Sequence, residues 1–188
     1  MQLSELIGIG RYRECYAIAN TDLCLKRLKP IGLDFRLLSA HLLGDINQDE
    51  FEIIKGIPAE LKFFFPQTVS KNGKMLISKR PKDFNGQYSK PVLEFGKISN
   101  PYFWDASDFI VEELIKHKLW LFDVFHLGNN ILVQKLSESK YIPVIIDCKR
   151  SGYFSYPLQA NLIFDAEKEK KLLRRHLRFK EKFKPGIS

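Results

Sequence analysis

Apolar and polar positions alternate with a period of two from residue 3 to residue 28, the mark of half-buried strands. Leu3–Ile9 predicts a first strand, running through Gly8 to Gly10. Residues 14–19 and Leu23–Leu28 predict two more, joined by Asn20-Thr21-Asp22, a polar junction short enough for a hairpin. Lys29-Pro30-Ile31-Gly32 ends the alternation. The period then changes: Phe51, Ile54 and Ile57 recur every three residues, which predicts a short helix over 47–57, stopped by Gly56 and Pro58. Residues 61–65 and 74–78 return to strand pattern on either side of Lys71-Asn72-Gly73, a turn signal. On this reading Phe63-Phe64-Phe65 is strand and core, not a stacking platform for bases.

The second half has a different texture. A polar stretch with Pro and Gly, from Lys79 through Asn85-Gly86 to Leu93-Glu94-Phe95, predicts a crossing between lobes. Residues 106–121 predict a helix with Phe109, Ile110, Leu114 and Leu121 as its apolar stripe and Asp105 or Ser107 as cap. Asn130-Ile131-Leu132-Val133 and Pro143-Val144-Ile145-Ile146 predict two short strands about a Ser/Glu/Lys hairpin, with Asp147 directly after the second. Asp165–Phe183 predicts a basic helix in which Leu173 and Leu177 pack while Lys170, Arg174, Arg178 and Lys182 face solvent. The order, strands first and helices later, predicts an α+β chain. Its parts are an N-lobe over 1–80, a connector over 81–98 and a C-lobe over 99–188.

Composition narrows the class. At 188 residues, 45% hydrophobic and 28% charged, the chain can bury a core without a metal or disulfide staple. Cys15, Cys24 and Cys148 form no C-x-x-C, which argues against a disulfide framework and a four-cysteine zinc site. The N-terminus lacks the basic and apolar regions of a signal peptide, and no run of 18 apolar residues occurs. A soluble, cytoplasmic protein is expected. The formal charge is +8, but it is concentrated: residues 165–184 hold nine Lys/Arg against four acids. Such a focus, without a nucleic-acid-binding motif, argues against nucleic acid as the main ligand. His41, His117, His126 and His176 have no metal-ligand spacing.

Candidate chemistry comes from order and spacing. A glycine turn such as Gly8-Ile9-Gly10 lets backbone approach phosphates without Cβ interference. A lysine on a following strand, Lys26 in Leu23-Cys24-Leu25-Lys26, can reach those phosphates as a point charge. Asn130 at a loop-to-strand junction and Asp147 after an apolar strand are two oxygen donors suited to Mg2+ beside substrate phosphates.

In these residues the chain resembles the protein-kinase-like superfamily. Gly8-Ile9-Gly10 is similar to the opening of its Gly-rich loop, Leu23-Cys24-Leu25-Lys26 to the strand bearing its phosphate-pairing lysine, and Asn130 and Asp147 to its metal ligands. The resemblance is closer to one bacterial branch, the PhoP regulatory network protein YrbL family. It is carried by 7–16, Asp83-Phe84-Asn85-Gly86, Leu93-Glu94-Phe95, Leu136-Ser137-Glu138-Ser139 and 142–147, within a span from residue 5 to about 152. It implies a reduced kinase-like fold: an antiparallel N-lobe sheet with one helix, and a small, mostly helical C-lobe. It implies ATP and Mg2+ as cofactors, bound in a cleft between residues 1–80 and 99–183.

The resemblance also implies a helix acid that holds Lys26. Glu50, with Ile53 and Ile54 at three and four residues, is preferred to Glu52, which has Gly56 at that offset. Cys24 and Leu132 become walls about the adenine. Two positions depart from the pattern. The third glycine of the loop falls on Arg13, whose guanidinium could itself contact phosphate. The catalytic aspartate falls on Phe125, which cannot accept a proton, leaving Asp123 as the substitute base; Asn129 competes with Asn130 for the metal-binding amide. Only 41 residues follow Asp147, too few for the usual protein-docking helices.

Three functions follow. The first is ATP/Mg2+-dependent phosphoryl transfer to an unidentified small-molecule acceptor, that is, a kinase-like phosphotransferase. The second is a nucleotide-binding pseudokinase that regulates or binds a partner. The third is a basic protein whose C-terminal helix docks RNA, an anionic membrane surface or an acidic protein.

Overall fold

The computed structural model describes residues 1–10, 12–30, 46–72, 75–121, 123–148 and 164–186. Ile31, Gly32, His41 and Gly73, named above, lie outside the described residues, as do position 11 of the 7–16 motif and position 74 of the expected 74–78 strand. The chain divides into two units, Met1–Gly56 with Pro66–Arg80, and Ile57–Phe65 with Pro81–Ser188. Residues 57–65 and the connector 81–98 therefore belong to the second unit.

The first unit is a five-stranded antiparallel sheet, ordered β1-β2-β3-β5-β4, with one described helix. Its strands are β1 (Leu3–Ile9), β2 (Arg13–Ile18), β3 (Leu23–Leu28), β4 (Thr68–Asn72) and β5 (Met75–Lys79), and helix α1 spans Ile46–Gly56. Register assigns the faces. Cys15 opposes Lys26 and Ala17 opposes Cys24, while across β5 Lys26 opposes Leu76 and Cys24 opposes Ser78. Since opposed residues share a face, Arg13, Cys15, Ala17, Cys24, Lys26, Leu28, Leu76 and Ser78 line one side of the sheet. All of these but Cys15 are buried. The other side, with Glu14, Tyr16, Arg27 and Met75, is wetter.

Helix α1 packs on β4 and β5. Its buried positions are Asn47, Asp49, Glu50 and Ile53; of the stripe expected from spacing, Phe51 and Ile54 are half-buried and Ile57, just past the helix, is buried. The helix turns a largely polar face inward because that face has charged partners, and Phe51 and Ile54 are only half covered. Of the two isoleucines that follow Glu50 at three and four residues, Ile53 is buried and Ile54 half-buried.

The second unit opens with a short 3-10 helix, Ala59–Phe64, where a strand over 61–65 was expected. Pro58 starts it, and Leu61 and Phe64, three residues apart, both turn inward, which a three-residue helical period allows and a strand does not. A three-stranded sheet of β6 (Lys90–Pro91), β7 (Ile131–Lys135) and β8 (Tyr141–Ile145) follows. Helix α2 is Val92–Phe95, α3 is Pro101–Lys116, and α4 is Asp165–Phe183.

Helix α3 begins five residues before the expected start. Asn100 accepts a hydrogen bond from the Phe103 amide at 3.3 Å and Pro101 occupies the first turn, a stronger start signal than Asp105 or Ser107. Ser107 instead lies buried at mid-helix. Helix α4 covers α3 through Leu172, His176, Phe179 and Phe183, while Leu173 and Leu177, expected to pack, are 44% and 54% exposed. The aromatic residues decide the rotation: Phe179 lies 5.7 Å from Trp104 and 5.2 Å from Phe183, ring centre to ring centre. Among the described residues no helix is long and apolar enough to cross a membrane.

Candidate functional site

The first unit assembles a buried ionic cluster from β2, β3 and α1. Lys26 Nζ donates to Glu50 Oε1 at 2.5 Å, and Arg13 Nη1 lies 2.6 Å from Glu50 Oε2. Arg13 Nη1 also donates to Asn47 Oδ1 at 2.8 Å, and Asn47 Nδ2 donates to the Lys26 carbonyl at 3.3 Å. Asn47 and Glu50 are three residues apart and so share a helix face. Glu52 is exposed and bonded to Gln48 at 2.6 Å, away from this cluster. Burial to 1% exposure strips the Glu50 carboxylate of water, and the two cations offset that desolvation.

The glycine turn lies beside this cluster in sequence. Gly10 donates its amide to the Arg13 carbonyl at 2.8 Å, and a Cβ at Gly10 would sit 3.4 Å from that oxygen. The chain thus turns tightly between β1 and β2 and returns Arg13 into the sheet.

Cys24 Sγ lies 3.5 Å from the Ser78 carbonyl oxygen. A hydrogen bond from Cys15 holds the Cys24 thiol below the ordinary cysteine range, with the Lys26 and Arg80 cations acting the same way. The same hydrogen bond, together with burial, pushes Cys15 up. On the same face, Ser78 Oγ and Thr68 Oγ1 come from residues directly opposed across β5 and β4. Both hydroxyl oxygens are buried without a hydrogen-bond partner among the described residues.

The second unit carries the remaining predicted residues. Asn130 Nδ2 donates to the Asp123 carbonyl at 2.8 Å, and the Ile146 amide donates to the Asn130 carbonyl at 3.0 Å. This ties the loop 123–130 to the segment that carries Asp147. Asp147 is half-buried two residues past β8, Leu132 is buried on β7, and Asn129 is exposed. Asp123 does not stand alone: Arg175 of α4 donates to its Oδ1 at 3.1 Å.

Phe125 is a core residue, its ring centre 4.7 Å from that of His176 and 5.5 Å from that of Phe179. The loop turns through two consecutive left-handed residues, Leu127 at φ 61° and Gly128 at φ 79°. A Cβ at Gly128 would meet the Phe183 ring at 2.8 Å. His126 is exposed.

Sequence reasoning missed Asn47, Ser78, Arg175 and His176. Asn47 was detectable from its three-residue offset to Glu50; the others needed the register or the helix rotation. Away from these residues, Glu60, Glu113 and His117 bring ligand atoms within 4.8 Å of one another. Lys116 already donates to both Glu113 oxygens at 3.0 Å.

The chain superposes on the Rio2 kinase of Chaetomium thermophilum with a TM-score of 0.67, at 18% identity, covering 97% of this chain. The fold is Rio2-kinase-like. A second Rio2 structure from the same organism, a complex with ADP, Mg2+ and phosphoaspartate, matches with a TM-score of 0.62 at 17% identity, over 96% of the chain. The chain spans 58% and 56% of those two Rio2 chains, so it corresponds to little more than half of each. No protein-family model matches the sequence, and no curated protein matches it either.

Proposed function

We propose that the chain binds ATP with Mg2+ and is a kinase-like phosphotransferase acting on a small-molecule hydroxyl. The observation that carries this reading is Lys26: a buried ammonium fixed by Glu50, on a strand following a glycine turn, in a Rio2-like fold. A Rio2 structure with ADP and Mg2+ supports it. In this reading the backbone at Gly8 and Gly10 approaches phosphate oxygens, Lys26 meets them as a point charge, and Cys24 and Leu132 flank the base.

Asn130 and Asp147 fit Mg2+ by donor type. The Asn130 amide oxygen accepts no hydrogen bond among the described residues, and an amide oxygen with one carboxylate is a hard-donor set of the size Mg2+ takes from protein. When bound, the ion neutralises charge on the transferring phosphoryl group. In the transfer, the acceptor oxygen bonds to the γ-phosphorus and the bond from phosphorus to the β,γ-bridging oxygen breaks. ADP leaves, and the hydroxyl proton passes to the Asp123 carboxylate or to solvent.

A pseudokinase is the second reading, favoured by Phe125 buried in an aromatic core and by Asp123 bound to Arg175. A finer kinship, to the YrbL family, and a cytoplasmic location rest on the sequence motifs and composition. The outer ridge of α4, with Leu173, Leu177, Arg174 and Arg178 exposed, is the surface on which an acidic or anionic partner would dock.

The test is ATP consumption and autophosphorylation by the parent and by Asp123→Ala, with hydroxylamine treatment to reveal an acyl phosphate. Slow turnover, reduced on the order of 10²-fold by Asp123→Ala, supports transfer with Asp123 as base. Clear ATP binding without turnover moves the assignment to the pseudokinase. Turnover on casein at ordinary kinase rates refutes the small-molecule acceptor, and hydroxylamine-labile phosphate makes a carboxylate of the chain the acceptor.

A further inference from the structure

We infer that Arg13 is a positioning residue for phosphate recognition: it fixes Glu50, and through Glu50 the ammonium of Lys26, before any nucleotide arrives. The inference rests on the nucleotide-binding reading above and concerns the position where the loop pattern has its third glycine.

Three observations carry it. Arg13 is the first residue of β2 and is 7% exposed, so its guanidinium lies within the sheet face and not on the loop surface. That guanidinium reaches two residues of α1, Glu50 at 2.6 Å and Asn47 at 2.8 Å. Asn47 in turn donates to the carbonyl of Lys26 at 3.3 Å, while Glu50 binds the Lys26 ammonium at 2.5 Å. The four residues therefore form a closed ring in which Arg13 touches both helix residues that touch Lys26.

The chemistry explains why an arginine stands there. A lone Lys–Glu pair fixes one distance and leaves the carboxylate free to rotate. One nitrogen of the guanidinium, Nη1, donates to the Asn47 amide oxygen and pairs by charge with the Glu50 carboxylate, so the helix is held at two points from one group. With one oxygen of Glu50 on Arg13, the other is left for Lys26. Arg13 thus divides the carboxylate between two cations and presents Lys26 in one place. A glycine at position 13 would free the loop but release the helix.

The test compares ATP with adenosine, which has the base and ribose but no phosphate. Calorimetry with Mg2+ and a non-hydrolysable ATP analogue, and NMR titration with adenosine, are run on the parent, Arg13→Gln and Arg13→Lys. Arg13→Gln is expected to weaken the ATP analogue about tenfold and leave adenosine unchanged, and Arg13→Lys to recover part of the loss. In a Glu50→Gln background, Arg13→Gln is expected to cost no further ATP affinity, because Arg13 acts through the carboxylate.

Unchanged adenosine binding also certifies that each variant is folded. Should Arg13→Gln unfold, Arg13→Lys carries the test, with a loss of a few-fold expected for ATP alone. Parental ATP affinity in Arg13→Gln overturns the inference, as does an equal loss for adenosine, which would mark a merely structural role. A tenfold loss that persists in Glu50→Gln overturns it too, in favour of direct phosphate contact by Arg13. A parent that binds neither ligand refutes the nucleotide reading itself, and the inference with it.

Discussion

Acid should weaken the second unit through one histidine. His176 is 6% exposed on the inner face of α4. It shares a 2.9 Å hydrogen bond with Ser107 Oγ and stacks edge-on against Phe125. Burial pushes its pKa down from 6.5 to about 4; the Asp108 carboxylate, 3.6 Å away, opposes that shift, and Lys180, bound to the same carboxylate at 2.7 Å, adds to it. The folded imidazole is thus neutral where the unfolded one is protonated. Between pH 6.5 and 4 the unfolded chain binds the extra proton, so stability is full above 6.5 and falls as the pH drops towards 4. The shift corresponds to about 3 kcal/mol across that window. Both tryptophans, Trp104 and Trp120, lie in the second unit, so their fluorescence reports it alone. Urea unfolding followed this way from pH 7.5 to pH 4 is expected to lose about 3 kcal/mol more in the parent than in His176→Gln. Parallel pH profiles for the two proteins would refute the reasoning.

Two further substitutions probe the packing. Gly128→Ala combines a left-handed backbone with a Cβ 2.8 Å from the Phe183 ring, and should destabilise the second unit by about 2–4 kcal/mol in the same urea assay; a loss below about 0.5 kcal/mol would contradict the loop geometry. Ser78→Ala deletes a buried hydroxyl that has no hydrogen-bond partner among the described residues, and is expected to leave the apo protein as stable as the parent or about 1 kcal/mol more so, read by thermal melting. A loss above about 1 kcal/mol would mean the hydroxyl is satisfied after all.

The elements visible in the sequence were those with a simple period and no competing partner. Leu3–Ile9, Leu23–Leu28 and Asp165–Phe183 have the expected bounds, because alternation or charge periodicity runs unbroken through each. Rotation was harder. In α4 the expected ridge contained Leu173 and Leu177, yet Phe179 packs on Trp104 and Phe183 on Phe179, and the leucines face out. In α1, apolar spacing pointed to Phe51 and Ile54, whereas ion pairing turned Asn47 and Glu50 inward. Hydrophobic pattern cannot register a buried charge whose partners come from another element.

The resemblance implied a helix acid beside Lys26 and the helix offset favoured Glu50 over Glu52, whereas the burial of Arg13 was not legible. From the sequence the Arg13 guanidinium was left to contact phosphate from the loop, and only the β2–β3 register, with Arg13 opposite Leu28, puts it on the inner face. The segment around Phe125 shows the opposite case. Its departure from the kinase pattern was legible as a missing carboxylate, and its packing against His176 and Phe179 gives the physical reason a phenyl ring stands there.

The most direct test of nucleotide binding is a calorimetric titration of the intact protein with a non-hydrolysable ATP analogue, with and without Mg2+, repeated on Lys26→Ala and Asp147→Asn. Saturable binding below millimolar concentration is expected in the parent and should strengthen when Mg2+ is added. Lys26→Ala should weaken it under both conditions, and Asp147→Asn should remove only the gain from Mg2+. No saturable binding in the parent, or parental affinity in both variants, would contradict the account.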